Sequence, residues 1–152
     1  MTSVVWAASP DIPEQPGPQI VIFPDAILAA LRIVRESSVS ELSSVEFGTR
    51  EPHELGAEFR GVPYVAFHLL SSDASGHPFR EVASLLIKAW GDTEAQSLRL
   101  LQIVRGVLTA YEGDSEVGSI SAGVGPLTVQ DTENGHPLSS AGVRIRLRPI
   151  VL

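Results

Sequence analysis

The chain has 152 residues, 43% apolar and 19% charged, with a net charge of −7 and no cysteine. That length fits one domain able to bury a core without cross-links. The missing cysteines exclude disulfides, thiolate catalysis and thiolate-held zinc. The acidic balance argues against non-specific nucleic-acid binding, which needs a basic surface to displace counterions.

The cations are uneven, with Lys88 the single lysine beside ten arginines. Arginine's planar fork suits fixed pairing at interfaces, although base composition of a gene gives the same bias. No apolar run, the longest near residues 27–31 and 83–87, approaches the ~20 residues that span a bilayer. Residues 1–18 lack a positive leading segment and carry Asp11 and Glu14, so no secretory signal is expected there. The chain is expected to act inside a cell or in a particle assembled there.

Residues 1–20 carry Pro10, Pro13, Pro16 and Pro18, which favour extended backbone. They are expected to form an arm apart from a single domain over residues 21–152. The arm is either a disordered tail or a strap on a neighbouring subunit, anchored by Val4, Val5 and Trp6. Phe23-Pro24-Asp25 opens a first helix, with proline and an acid suited to the first turn. Ile27, Leu31 and Val34 follow at helical spacing, and the pattern fades at Ser37-Ser38. Residues 39–62 are polar and irregular, with a short strand at 45–47. Residues 64–70 read as a strand, 71–78 as a loop, and 81–90 as a strand whose drier face holds Ala83, Leu85, Ile87 and Ala89.

A second helix starts near Asp92 and Thr93, where Thr93 and Gln96 have capping-box spacing. Its apolar stripe is Ala95, Leu98, Leu101, Val104 and Leu108, widened by Leu100, Ile103 and Val107. Glu112-Gly113 is expected to close it. Gly106 lies mid-helix, which a close backbone contact would explain. Strands are predicted at 117–124, 127–130 and 142–152, with a hairpin-type connection at Asn134-Gly135. The order of elements predicts an α+β fold: an antiparallel or mixed sheet of about four to six strands with two main helices on one face.

No phosphate loop, dinucleotide fingerprint or His-Glu-x-x-His motif occurs. The four histidines, His53, His68, His77 and His136, never pair at metal-ligand spacing. His68 in a strand reads as half-buried and satisfied; His77 and His136 precede prolines in loops and read as exposed. Asp131 and Glu133 could do acid–base work but read as an exposed acidic turn. No catalytic, cofactor or metal site is therefore expected, and the chain is expected not to be an enzyme. The distinctive polar feature is Arg144, Arg146 and Arg148, two apart on a strand. They would form a cationic ladder about 13 Å long. It is either a solvated sheet face or a seam paired with carboxylates of this chain or a neighbour.

Three stretches together resemble the tail terminator proteins of bacteriophages with long non-contractile tails, especially those of actinobacteria. Residues 45–52, Val-Glu-Phe-Gly-Thr-Arg-Glu-Pro, resemble that family's Val-x-Val-Gly-Thr-(Arg/Lys)-x-Pro stretch. Residues 86–95 resemble its strand ending in Trp-(Ala/Gly) and leading into a long helix. Gly125-Pro126, then residues 131–137, resemble its Gly-Pro … Asp-x-x-x-Gly-x-Pro before a final strand. Leu138-Ser139 stand where the family has an arginine followed by an aromatic residue.

The resemblance implies a structural virion protein that forms a hexameric ring at the head-proximal end of the tail tube. The ring would end tube growth and present the surface for head docking. Its partners would be copies of itself, the major tail tube protein below and head–tail connector or neck proteins above. DNA would cross its lumen without specific binding. The alternatives are a neck protein of related fold or a small ligand-binding domain or enzyme with an unrecognised site. The candidate subunit interface is Trp6, Arg50, Arg144, Arg146 and Arg148, with the final strand and the 39–62 segment around them.

Overall fold

The computed structural model describes residues 19–73 and 80–152. The elements run β1 (Val21–Ile22), α1 (Ala26–Arg35), β2 (Glu46–Gly48), α2 (Pro52–Leu55), β3 (Tyr64–Asp73) and β4 (Glu81–Trp90). They continue with α3 (Glu94–Thr109), β5 (Val117–Ala122), β6 (Leu127–Gln130), β7 (Pro137–Leu147) and β8 (Ile150–Val151). The fold is α+β. Its main sheet has the order β2-β3-β4-β7-β5, and β6 also pairs with β7. The β2–β3 pair is parallel and its other pairs are antiparallel. Strand β7 takes β6 against its first residues and β5 against its last. A separate ribbon joins β1 to β8.

Alternation along β4 and β7 creates the core. Ala83, Leu85, Ile87 and Ala89 of β4 are buried, as are Ala141, Val143, Ile145 and Leu147 of β7. The register sets Leu85 opposite Val143 and Ile87 opposite Ala141, so the apolar rows are continuous. Val65 and Phe67 of β3 extend them, and Leu31 and Val34 of α1 with Leu101, Val104 and Leu108 of α3 cover them. Each large aliphatic residue so buried contributes about 1.5–3 kcal/mol.

Both main helices carry side-chain caps. Asp25 is the N-cap of α1, its Oδ1 accepting from the amides of Ile27 and Leu28 at 2.9 and 3.0 Å. Pro24 thus lies before the cap and not in the first turn. Thr93 caps α3, its Oγ1 accepting from the Gln96 amide at 3.0 Å. The Gln96 side chain accepts from the Asp92 amide, so only half of the expected capping box forms.

Helix α3 ends at Thr109, earlier than expected. Gly113 instead serves the turn into β5. Its φ is +105°, and a Cβ there would sit 2.9 Å from the carbonyl oxygens of Val117 and Gly118. The buried stripe is rotated from the expected one: Ser97, Leu100, Leu101, Val104 and Leu108 are buried, whereas Ala95 is exposed. Gly106 is exposed and a Cβ there would meet nothing within 4 Å. The close contact expected to explain it is absent.

Segment 39–62 is more ordered than its composition implied. It holds 3-10 turns at Ser40–Leu42 and Gly56–Glu58 and the short α2. Strand β3 runs on to Asp73, and β7 starts at Pro137. That early part of β7 was hidden because its inward residue, Ser139, is polar. Ser139 is fully buried and shares hydrogen bonds of 2.8 Å with Ser97 of α3 and Thr128 of β6.

Candidate functional site

The face of the sheet away from α1 and α3 has two halves. Near the Trp90 end, Tyr64, Ala66 and Trp90 are buried, with Leu55, Phe59 and Val62 and the neighbouring Leu138 of β7 packed against them. The Tyr64 and Trp90 rings lie 5.6 Å apart, and Phe59 meets Tyr64 edge-on at 5.7 Å. Trp90 Nε1 donates to Asp131 Oδ2 at 2.6 Å, and Tyr64 Oη donates to the Arg50 carbonyl at 2.6 Å. Asp131 is therefore buried, not part of an exposed acidic turn. A chain neighbour 41 positions away holds it there. Its other oxygen accepts from the Glu133 amide at 2.9 Å, and its carbonyl from the Gly135 amide at 2.7 Å. Asp131 thus joins the β6–β7 turn to the aromatic cluster. His136, expected to be exposed, is half-buried in this turn.

Lys88 on this face pairs with Glu51, the first residue of the α2 capping box. Glu51, His53 and Glu54 bring ligand atoms within 4.8 Å of one another. Lys88 supplies the cation at Glu51, and Glu54 Oε1 accepts from the Glu51 amide at 3.2 Å. The cluster is accounted for as the lock that pins α2 over the sheet. His68, midway along the face, is half-buried, and its Nε2 is enclosed without a hydrogen-bond partner. The expected satisfied histidine is thus not found. Burial, then the charge of Lys88, push its pKa below the usual imidazole value, so it is neutral at pH 7.

Beyond His68 the face is more exposed among the described residues. The rows read Ser84–Arg144–Ser121 and Val82–Arg146–Ser119 across β4, β7 and β5. Arg144, Arg146 and Arg148 are all exposed, while Val143, Ile145 and Leu147, each just before one of them, are buried. Among the described residues none of the three arginines is ion-paired. Beside Arg144, exposed Leu70 and Val124 flank a shallow groove of about 230 Å³. Gly123 and Gly142 floor it. They exchange close backbone contacts, and a Cβ on Gly123 would stand 3.0 Å from the Gly142 carbonyl carbon.

The predicted interface residues are thus not one cluster. Arg144 and Arg146 lie two apart on β7, whereas Arg148 lies just past its end, where the expected single strand over 142–152 is broken before β8. Arg50 lies at the other end of the sheet, exposed and paired with Glu58 at 3.1 Å. Trp6 lies outside the described residues, as do residues 1–18 of the expected arm. The carbonyl of Ile20 accepts from the Leu152 amide at 3.0 Å, continuing the β1–β8 ribbon.

Two further features carry polar chemistry. Asp114 accepts from Arg32 Nη2 at 2.8 Å, from Tyr111 Oη, and from the amides of Glu116 and Val117 at 2.7 and 2.8 Å. Burial opposes its charge, but these four donors outweigh burial and hold the carboxyl well below the usual carboxylate range. The bond to Asp114 in turn raises the Tyr111 hydroxyl. This clasp ties α1 to the α3–β5 turn. A groove of about 440 Å³ lies between α3 and residues 41–45, lined by Val45, Pro63, Leu100 and Ile103 and bridged by the Glu41–Arg99 pair. Its two charged groups are paired with each other, which leaves the wall mainly aliphatic.

No protein-family model matches the sequence, and no curated protein does. Among solved structures, the chain is similar to one chain of the virion of a native gene transfer agent particle. The two share a fold. Their TM-score is 0.57 at 14% identity, over 81% of this chain and 98% of that one. The likeness thus takes in nearly the whole of a virion subunit and not a fragment of it. No helix among the described residues is long and apolar enough to cross a membrane.

Proposed function

We propose that this chain is a structural virion protein, a tail terminator that closes into a hexameric ring at the head-proximal end of a tail tube. The ring stops tube growth and gives the filled head its docking surface. It works by shape and contact, with no bond-making step. The observation that carries this reading is the shared fold with a subunit of a gene transfer agent virion, matched over 98% of that subunit. The sequence resemblance at residues 45–52, 86–95 and 125–137 narrows it to the terminator.

The physical logic is that of stacked assemblies. Growth by head-to-tail contacts continues until a subunit offers a different upper face. A terminator must match the tube below and differ above. An acidic chain would also let DNA cross its lumen without gripping the phosphates. A neck protein of related fold is the second reading. It is favoured by Leu138-Ser139, which depart from the family's arginine–aromatic pair. Native mass spectrometry of the purified chain, alone and with the tube protein, tests the proposal. A six-copy species in either sample is the expected result, and a monomer in both overturns it.

A further inference from the structure

We propose that the arginine face of β7 is one half of a head-to-tail contact between copies of this chain, the other half being the acidic rim at the opposite end of the sheet. The inference rests on the ring reading above and says which surfaces would close the ring.

Arg144, Arg146 and Arg148 stand exposed, and none of the three is ion-paired among the described residues. The Trp90 end shows the reverse imbalance. Glu46, Glu54, Asp92, Glu94 and Glu133 are exposed and none is ion-paired among the described residues. The cations Arg50, Lys88 and Arg99 near that end are already committed to Glu58, Glu51 and Glu41. Arg35 and Arg60 remain to face those five carboxylates.

The two surfaces cannot neutralise one another within one molecule. Arg144 and Arg146 lie opposite Ser84 and Val82 on β4, and Trp90 is six and eight residues further along that strand. At the rise of a β-strand the separation is about 20–26 Å, well beyond the screening length of about 8 Å at physiological ionic strength. A second molecule is needed to bring them together. A two-fold contact of the arginine face with itself would set like charges against each other. Opposite charge at opposite ends instead fits a heterologous contact, the kind that generates rings when the rotation closes. Arginine forks hold carboxylates in fixed, two-pronged geometry. Leu70 and Val124 beside Arg144 give such a contact an apolar centre, the arrangement of a dry core inside a polar rim.

Two complementary variants test this in the full chain. One carries Arg144→Glu and Arg146→Glu, the other Glu94→Arg and Glu133→Arg. All four positions are exposed, and each variant is expected to melt within a few degrees of the wild type. Sedimentation is measured in low salt for the wild type, each variant and their equimolar mixture, with the tube protein added throughout if the wild type needs it. Each variant alone is expected to lose at least about tenfold of its assembled fraction. The mixture is expected to regain it, because alternating copies restore every opposite-charge contact. Wild-type-like assembly of the arginine variant, or a mixture that stays dissociated, overturns the contact while the ring reading stands. An arginine variant that forms rings but no longer binds tube protein or DNA assigns the face to that partner and also overturns it. A wild type that is monomeric under all conditions removes both.

Discussion

The two halves of the outer sheet face use the same strands, β3, β4 and β7, and the same alternation. In one half the outward row of Tyr64, Trp90 and Leu138 is covered by residues 55–62. Its charges are answered in place, Lys88 by Glu51 and the indole by Asp131. In the other half, among the described residues, Arg144 and Ser121 of the outward row stand exposed beside half-buried Ser84. A sheet does not decide which of its faces is finished. The segment that folds back over it does, and here that segment reaches only half-way. The half closed by the chain itself holds the buried aromatic contacts, and the other half is the one proposed above to meet a second copy.

That division can be broken first at Trp90. Trp90→Ala removes a fully buried ring and strands the Asp131 carboxylate, so chemical denaturation should show a loss of about 3–5 kcal/mol. A loss under about 1 kcal/mol would mean that the closed half does not hold the fold.

A smaller effect is expected at Asp114, which stiffens the arginine end from the inner side. Asp114→Asn should lower stability at pH 7 by about 1–3 kcal/mol. The folded carboxyl lies below its unfolded value, so its contribution is complete above about pH 4 and is lost as pH falls further. Urea midpoints of the two proteins should therefore converge below about pH 4. Equal midpoints at pH 7 would indicate that the open half rests on a loose base.

Gly106→Ala fills open space on an exposed helix face and should stabilise by about 0.5–1 kcal/mol. Thermal melts would detect it. The smallest effect belongs to the open half. In the dissociated chain, Arg144→Ser with Arg146→Ser should change stability by no more than about 0.5 kcal/mol. A larger loss would show that the ladder serves the fold of its own subunit.

What could be read from the residues was local. Strands β4 and β6 follow from alternation and flanking turn residues, and the start of α3 from Thr93. The common exposure of Arg144, Arg146 and Arg148 follows from the two-residue period of a strand. Contacts between distant positions were not legible. Asp131 meets Trp90 across 41 residues, and nothing near Asp131 in the sequence distinguishes it from a solvated turn acid. Helix α2 is four residues long and has no periodicity to detect. Gly113 was misread as a helix end because a positive-φ glycine looks the same in sequence whether it stops a helix or opens a strand. The separation of Arg50 from the ladder depends on strand order, which spacing does not encode.

The most direct measurement is cryo-electron microscopy of particles assembled with a labelled copy of this chain. Label is expected in a single six-fold annulus where the shaft meets the capsid. Label along the shaft, at its far tip or inside the capsid shell would contradict the terminator reading.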